Sequence, residues 1–301
     1  VTITLVTRTI LLFGGRSPEH DVSILSARAI AEAAPKERIE IVPICIAKDG
    51  RFIGPERSAK ILDGEATSES GDFSFESWVR ANHVDVILPV VHGEDGTLQG
   101  YLDILGLPYA GSGVSASAVA MDKAQMKCAL AAAKLPMVDF VQVLEWEWRN
   151  EPERIRRAVN NALRLPYFVK PANGGSAVGI TKVKSDLALA DAVEHALTFD
   201  DKVLVERGID AREFEVSLLG NDNPAASVPG EIVPGGDFYD YAAKVDGGKV
   251  QLIVPAKLAK DKIEELRRHA LTAFKAIGAS GYARVDFFLE RGTNRLFVNE
   301  I

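Results

Sequence analysis

Cysteine is scarce in this 301-residue chain: Cys45 and Cys128 are the only two, and each lies in an apolar segment. That scarcity excludes a disulfide scaffold and a cysteine-built metal site, and it predicts buried free thiols in a reducing cytosol. An excess of basic charge is also missing. The 35 Lys and Arg stand against 42 Asp and Glu, and a net charge of −7 argues against a nucleic-acid partner. No apolar run approaches the length of a membrane helix and nothing resembles a signal peptide, so neither a membrane nor an exported protein is expected. Two nucleotide signatures are absent as well: the Gly-Lys-Ser/Thr ending of a Walker loop and the full Gly-x-Gly-x-x-Gly fingerprint. There is no internal repeat and no low-complexity tract. What remains is an ordinary globular composition, 47% hydrophobic and 26% charged, on a chain long enough for two or three domains.

Strand-like and helix-like segments alternate through most of the chain, which predicts an α/β architecture. Ile10–Phe13 reads as a buried strand ending at Gly14-Gly15, followed by a helix with Ser17 as N-cap and Pro18 in its first turn. Strands at Ile39–Ala47 and Val84–Val91 and a helix at Gly96–Leu105 complete a small doubly wound sheet. Ala116–Lys134 reads as one long helix, then a strand at Val138–Val143 and a charged helix at Glu151–Ala162. The short strand Tyr167–Lys170 runs into the glycine-rich loop Ala172–Gly179. Strands follow near Val203–Glu206, Glu213–Leu219 and Val250–Val254, with a long loop over Pro229–Gly248 and a helix over Asp261–Ile277.

The chain ends in the most informative pattern. Gly281–Leu289 alternates with period two, which puts Tyr282, Arg284, Asp286 and Phe288 on one face. With residues 291–295 as the loop, Glu300 of the returning strand stands opposite Asp286, beside Arg284. Directly opposed acids weaken a sheet. Two such carboxylates make chemical sense as ligands of a hard cation carrying phosphate; a surface hairpin with scattered charge is the plainer explanation.

Other chemistry-bearing groups cluster around glycines and strand ends. Gly174, Gly175 and Gly179 let backbone approach an anion, Asn173 and Ser176 supply polar side chains, and Lys170 adds a cation just upstream. A tight hairpin turn is the alternative. Glu19 in a first helical turn suits the helix dipole, and equally displays a carboxylate beside a strand C-terminus, where open α/β sheets bind ligands. His92, at the end of an apolar strand, shares that position and would rim the same crevice. Glu206-Arg207 and Glu213-Phe-Glu215 place acids on two short strands, either as solvated edges or as acceptors for ribose hydroxyls and an exocyclic amine.

Taken together, these segments resemble the D-alanine–D-alanine ligases of the ATP-grasp superfamily over nearly the whole chain. The resemblance is carried by Phe13-Gly-Gly-Arg-Ser-Pro-Glu-His-Asp-Val-Ser23, His92-Gly-Glu-Asp-Gly-Thr-Leu-Gln-Gly100, Tyr109-Ala-Gly-Ser-Gly113 and Met121-Asp-Lys123. It continues through Val169-Lys-Pro-Ala-Asn173, Gly175-Ser176, Phe238-Tyr-Asp-Tyr241 and Ala283-Arg-Val-Asp-Phe287. The order and spacing make it specific. It implies an ATP-grasp fold of three parts: a substrate-binding doubly wound domain over 1–111, a central domain over 112–209, and a C-terminal catalytic domain over 210–301, with ATP clamped between the last two. It also implies cytoplasmic ligation of two D-alanine molecules through an acyl phosphate, for peptidoglycan synthesis, by an enzyme whose relatives commonly dimerise.

The residue roles come from the same resemblance. Glu19 and His92 would hold the first D-alanine, with Ser176 near that substrate. Lys123 and Lys170 would contact the ATP phosphates, and Glu206, Arg207, Ile209 and Glu213 would line the adenine and ribose pocket. Phe238 and Lys244 would belong to a loop closing over the nucleotide. Asp286 and Glu300 would bind magnesium, with manganese as the alternative, and Arg284 would stabilise the oxyanion. Several positions depart from the family pattern. Val245 stands where a tyrosine is usual, Ala177 where a second serine is common, and the turn after His92 is short. Asn299-Glu-Ile301 stops just before a second metal-binding asparagine and the Pro-Gly segment that meets the second substrate, so the C-terminal domain is expected to lack its end. A D-alanine–D-lactate or D-serine ligase is the neighbouring alternative. A catalytically silent nucleotide-binding protein is a third, and an oxidoreductase resting on Gly14-Gly15 a distant fourth.

Overall fold

The computed structural model describes residues 6–66, 73–93, 95–233 and 251–301. The described chain divides into two compact units, Val1–Val114 and Ser115–Ile301.

The first unit is built on a four-stranded sheet. In chain order it contains β1 (Thr7–Gly14), α1 (His20–Ala33), β2 (Ile39–Ile46), β3 (Phe52–Ile53), α2 (Pro55–Leu62), α3 (Phe75–Ala81), β4 (Val86–Pro89) and α4 (Thr97–Ile104). The strand order is β3-β2-β1-β4, with β1 parallel to both β2 and β4. Ile10, Leu11, Leu12 and Phe13 of β1 are all fully buried, as a strand covered on both faces requires. Alternation sends Ile10 and Leu12 to the side of Phe75, Leu98 and Leu102 from α3 and α4, and sends Leu11 and Phe13 to the side of Ala27, Ile61 and Leu62 from α1 and α2. The expected doubly wound sheet is therefore present.

The second unit carries two antiparallel sheets. It begins with α5 (Val114–Met121), α6 (Lys123–Ala132), β5 (Phe140–Leu144), α7 (Glu145–Asn150), α8 (Pro152–Ala162), β6 (Tyr167–Pro171), β7 (Thr181–Val183), α9 (Leu189–Leu197) and β8 (Lys202–Arg207). The first sheet has the order β5-β8-β6-β7. One face packs on Ile155 and Val159 of α8 and Leu189, Val193 and Ala196 of α9. Then come β9 (Ala211–Leu219), β10 (Ala225–Ala226), β11 (Gly230–Val233), β12 (Gln251–Ile253), α10 (Lys260–Ala276), β13 (Tyr282–Glu290) and β14 (Leu296–Glu300). These strands form the second sheet in the order β12-β11-β9-β13-β14, with β10 on β9, covered by Leu266, Ala270 and Phe274 of α10. Helix α6 serves both sheets: Met126 and Leu130 join the core of the second, while Ala124 packs with Ala172 and Leu204 of the first.

The structure corrects several expectations. Ser17 is not the N-cap residue: α1 starts at His20 after a turn, and the Ser17 hydroxyl donates to the His92 carbonyl at 2.6 Å. The single helix expected over Ala116–Lys134 is two helices. Asp122 adopts extended backbone and its carboxylate accepts from the amides of Ala124 (2.9 Å) and Gln125 (3.1 Å), so a new helix starts at Lys123. The strand expected at Val84–Val91 is the shorter Val86–Pro89. Part of the loop expected over Pro229–Gly248 is strand β11, paired with β9 and β12. Phe238, Lys244 and Val245 lie outside the described residues, as does Glu94 in the turn after His92. Cys45 is buried as expected, and burial pushes its thiol up to about 12. Cys128 is exposed, on the outward side of α6.

Gly14 shows why the β1 turn is glycine-rich without any dinucleotide role. It has φ +88°, and an added Cβ would lie 2.3 Å from the Ile46 carbonyl oxygen and 3.1 Å from the His20 ring. Gly14→Ala is expected to lower the unfolding free energy by about 3 kcal/mol, combining backbone strain with overpacking. Urea titration measures this directly, and a loss below about 0.5 kcal/mol would contradict the steric account.

Candidate active site

In the first unit, the turn into α1 and the segment after β4 meet at the C-terminal end of the parallel strands. Ser17 ties them through its bond to His92, and the Glu19 amide donates back to the Ser17 hydroxyl at 3.2 Å. Gly93 has φ +72°, and its Cβ position lies 3.4 Å from a Glu19 carboxylate oxygen. Glu19 and the His92-Gly93 backbone are thus neighbours on one rim, at the place where open α/β sheets take ligands. Fully buried His20 holds the base of this rim, its Nδ1 2.7 Å from the Gly15 carbonyl oxygen.

In the second unit, the glycine-rich loop joins β6 to β7 across residues 172–180, too long for a tight turn. Two of its residues that are not glycine, Ser176 (φ 51°) and Ala177 (φ 59°), take left-handed backbone, a costly conformation concentrated at functional loops. Its base is anchored: Asp200 accepts from the Asn173 amide (2.6 Å) and side chain (2.9 Å). Lys123 donates to the Gly174 carbonyl from the first turn of α6. Ser176 is buried.

Behind this loop lies a cluster of buried charge. Glu206 of β8 stands in register with Phe140 and Phe168, and Lys170 lies one diagonal step away on the same face. Lys170 reaches one Glu206 oxygen at 2.6 Å and Lys127 of α6 the other at 3.2 Å. Lys127 is 1% exposed and Glu206 3%. Burial would raise the Glu206 carboxyl, but Lys170 and Lys127 outweigh it and hold the group down at about 2. Burial lowers both Lys123 and Lys127, with Glu300 and Glu206 opposing it. Glu206 is therefore no solvated strand edge. Its neighbour Arg207 bonds Glu290 at 3.1 Å and lies 5.7 Å from the Phe297 ring centre, while Ile209 and Glu213 are half-buried.

The carboxylates of the second sheet meet as expected but through a different register: Leu289 pairs with Leu296, one residue off the register of a 291–295 loop, and a bulge beside Asp286 brings Glu300 opposite it. Asp286 is in register with Glu300 on one side and, unforeseen in the sequence, with Glu215 on the other. Their face is opposite the one that buries Val285, Phe287 and Val216. Arg284 grips Asp286 bidentately at 2.6 Å and 2.6 Å and approaches Glu215 at 3.4 Å. Burial, with added repulsion from Glu300 and Glu215, raises the Asp286 carboxyl to about 6 against the pull of Arg284. Among the described residues, three acids meet one guanidinium on this face. Among the described residues no group of three or more His, Cys, Asp or Glu is arranged to hold a metal by itself, so a cation here would bring ligands of its own.

Sequence reasoning missed Lys127, Asp122 and Asp200, and it placed Glu215 with the acids of β8 and β9 rather than beside Asp286. Lys127 was the most accessible of them, because it lies one helical turn beyond Lys123 and so shares its face.

The geometry has close counterparts. A family model described as D-ala D-ala ligase N-terminus matches residues 8–112, and one described as D-ala D-ala ligase C-terminus matches residues 129–301. A D-alanine–D-alanine ligase of Thermoanaerobacter sp. is 44% identical over 309 residues, covering 97% of this chain and 86% of the relative. One from Prosthecochloris aestuarii is 39% identical, covering 98% and 88%. Among solved structures, VanG D-Ala:D-Ser ligase from Enterococcus faecalis superposes with a TM-score of 0.83 at 28% identity, covering 98% of this chain and 90% of that one. The D-alanine–D-alanine ligase from Coxiella burnetii gives 0.82 at 32% identity, covering 98% and 84%. The fold is that of the ATP-grasp ligases, enzymes that use ATP. Within that class, the chain belongs to the D-alanine–D-alanine ligase family.

The buried carboxylate generates a pH prediction. A group held below its unfolded value stabilises the fold above that value, and the stabilisation is lost as pH falls through the folded one. For Glu206 the window runs from about pH 5 down to about pH 2. Over it, the parent should lose roughly 3 kcal/mol more stability than Glu206→Gln. Chemical denaturation at stepped pH checks this; parallel losses in the two proteins would refute the buried ion pairing.

Proposed function

We propose that this protein joins two molecules of D-alanine into D-alanyl-D-alanine, cleaving ATP to ADP and phosphate, in the cytoplasm and for peptidoglycan synthesis. The observation that carries the reading is the Asp286–Glu300 register with Arg284 alongside, in the same unit as the lysine-lined glycine loop. A homodimer and three functional parts, 1–111, 112–209 and 210–301, complete the proposal; the change of sheet between β8 and β9 supports the last boundary.

In this reading Glu19 attracts the ammonium group of the first D-alanine and His92 helps orient it, leaving its carboxylate free to react. That carboxylate takes the γ-phosphoryl group of ATP, giving an acyl phosphate and ADP. Lys123 and Lys170 hold the phosphate chain and offset charge on the transferred group, with the backbone of the glycine loop and Ser176 at hand. Arg207, Ile209 and Glu213 line the nucleoside, with Glu206 behind them. The amine of the second D-alanine then attacks the acyl carbon, Arg284 steadies the oxyanion, and phosphate leaves. Phe238 and Lys244 are assigned the task of excluding water, since an acyl phosphate hydrolyses readily.

Asp286 and Glu300 would hold a magnesium ion, or manganese in its place, as hard oxygen ligands in a region of negative charge. Such an ion would supply charge neutralisation at the transferred phosphoryl group. The likeness to a D-Ala:D-Ser ligase keeps D-serine as an alternative second substrate.

Phosphate release from ATP and magnesium, measured with D-alanine, D-alanine plus D-serine, D-alanine plus D-lactate, and L-alanine, tests the reading. Release with D-alanine alone, together with the dipeptide, is expected. Release only after adding D-serine or D-lactate would reassign the second substrate, and none in any mixture would overturn the proposal. Asp286→Asn should lower kcat by about 10²–10³-fold with little change in Tm, and turnover at the parental rate would remove the metal assignment.

A further inference from the structure

Lys127 has no part in the mechanism above, yet it is more deeply buried than either lysine assigned to the phosphates. It is 1% exposed, against 8% for Lys123 and 8% for Lys170. An ammonium group taken that far from water is costly unless it is paired. Its carboxylate partner is Glu206 at 3.2 Å, and its one other close neighbour of note is the Phe140 ring, 5.3 Å from Nζ. A stability role alone would be met better by an apolar side chain, since buried ion pairs are often no stronger than hydrophobic replacements of the same volume.

The geometry points to a different part. We propose that Lys127 is a positioning residue for ATP binding: by compensating Glu206, it leaves the charge of Lys170 available to the nucleotide phosphates. The inference rests on the proposed ATP site. Glu206 carries one negative charge, placed between two ammonium groups on its two oxygens. With Lys127 present, Lys170 needs to spend only one of its three N–H groups on that carboxylate. Without Lys127, Lys170 is the one ammonium group among the described residues left within ion-pair distance of the buried carboxylate. Lys170 then faces a buried anion and a phosphate with one charge between them, and phosphate binding weakens. Lys123, which donates to the Gly174 carbonyl, brings its own charge to the phosphates whether or not Lys127 is present, and so does not make up for what Lys170 loses. Lys127 reaches this position because α6 begins at Lys123: one turn separates the two side chains, so the same helix face serves both the loop and the strand behind it.

The test measures ATP affinity by calorimetry, and both KM values, in the parent, Lys127→Met, Glu206→Gln and the double variant. Lys127→Met should weaken ATP binding by at least about tenfold, raise KM for ATP in parallel, and leave KM for D-alanine within about twofold. In the Glu206→Gln background the same substitution should cost less than about threefold more, because its effect passes through that carboxylate. A merely structural Lys127 would lower Tm without separating the two KM values, and that result overturns the inference. So does a double variant whose affinity falls about tenfold below Glu206→Gln, which would mean that Lys127 acts on the nucleotide directly. Should Lys127→Met alone fail to fold, the Glu206→Gln pair still decides, since the double variant removes both buried charges together. A parent that binds no ATP would defeat the proposed function itself, whereas a parent that binds ATP beside an unaffected Lys127→Met would defeat only this inference.

Discussion

A carboxylate buried between two ammonium groups is the constraint around which the second unit is arranged. Glu206 can leave water only if both of its oxygens are compensated, and Lys170 and Lys127 must come from different elements to do it. That requirement fixes the height of α6 on the sheet. The helix is seated by Ala124 against Ala172 and Leu204, residues small and apolar enough for a close approach. On its other side Met126 and Leu130 enter the core of the second sheet. One ten-residue helix therefore couples two hydrophobic cores to one charge cluster. The starting point of that helix matters as much as its face. Asp122 stops α5, caps α6 and pairs with Lys202 of β8, so three elements are pinned at the residue before Lys123.

What could be read from the sequence follows the range over which each signal acts. Strand alternation is local and put Arg284 and Asp286 on one face, but the hairpin register is one residue off the expected one, and Asp286 meets Glu300 through a bulge that neither run announces. The parallel sheet of the first unit was legible because a fully buried β1 leaves an unbroken apolar run, Ile10–Phe13. Charge networks are not local. Lys127 meets Glu206, and Asp200 meets Asn173, across sequence distances where spacing carries no information. The same holds for Glu215: its placement beside Asp286 depends on β9 pairing with β13, and nothing in either strand announces that partner.

The errors at helix ends have a different origin. Ser17 has the residue type and the following proline of a good N-cap, and its hydroxyl does accept from the Glu19 amide, but a turn over residues 17–20 delays the helix to His20. The same hydroxyl donates to the His92 carbonyl, a tertiary bond that joins two loops of the first unit's rim. Asp122 was hidden by its surroundings, because helix propensity is high on both sides of it and the interruption is a single residue with extended backbone. Both misreadings fall beside proposed site residues, Glu19 and Lys123, where function competes with local regularity.

The two charge clusters of the second unit have opposite sign, and this bears on what the site can take. On the α6 side three buried lysines face one buried carboxylate. On the β13 side three acids face one guanidinium, and burial with mutual repulsion lifts Asp286 to about 6. The clusters are close enough for Glu300 to favour the charged forms of Lys123 and Lys127. A simple anion would satisfy the lysines and worsen the acids; a simple cation would do the reverse. A ligand that is itself divided, a polyphosphate chain with a hard cation on its far side, satisfies both at once. For the nucleotide and metal proposed above, the division of charge would favour the two together over either component alone.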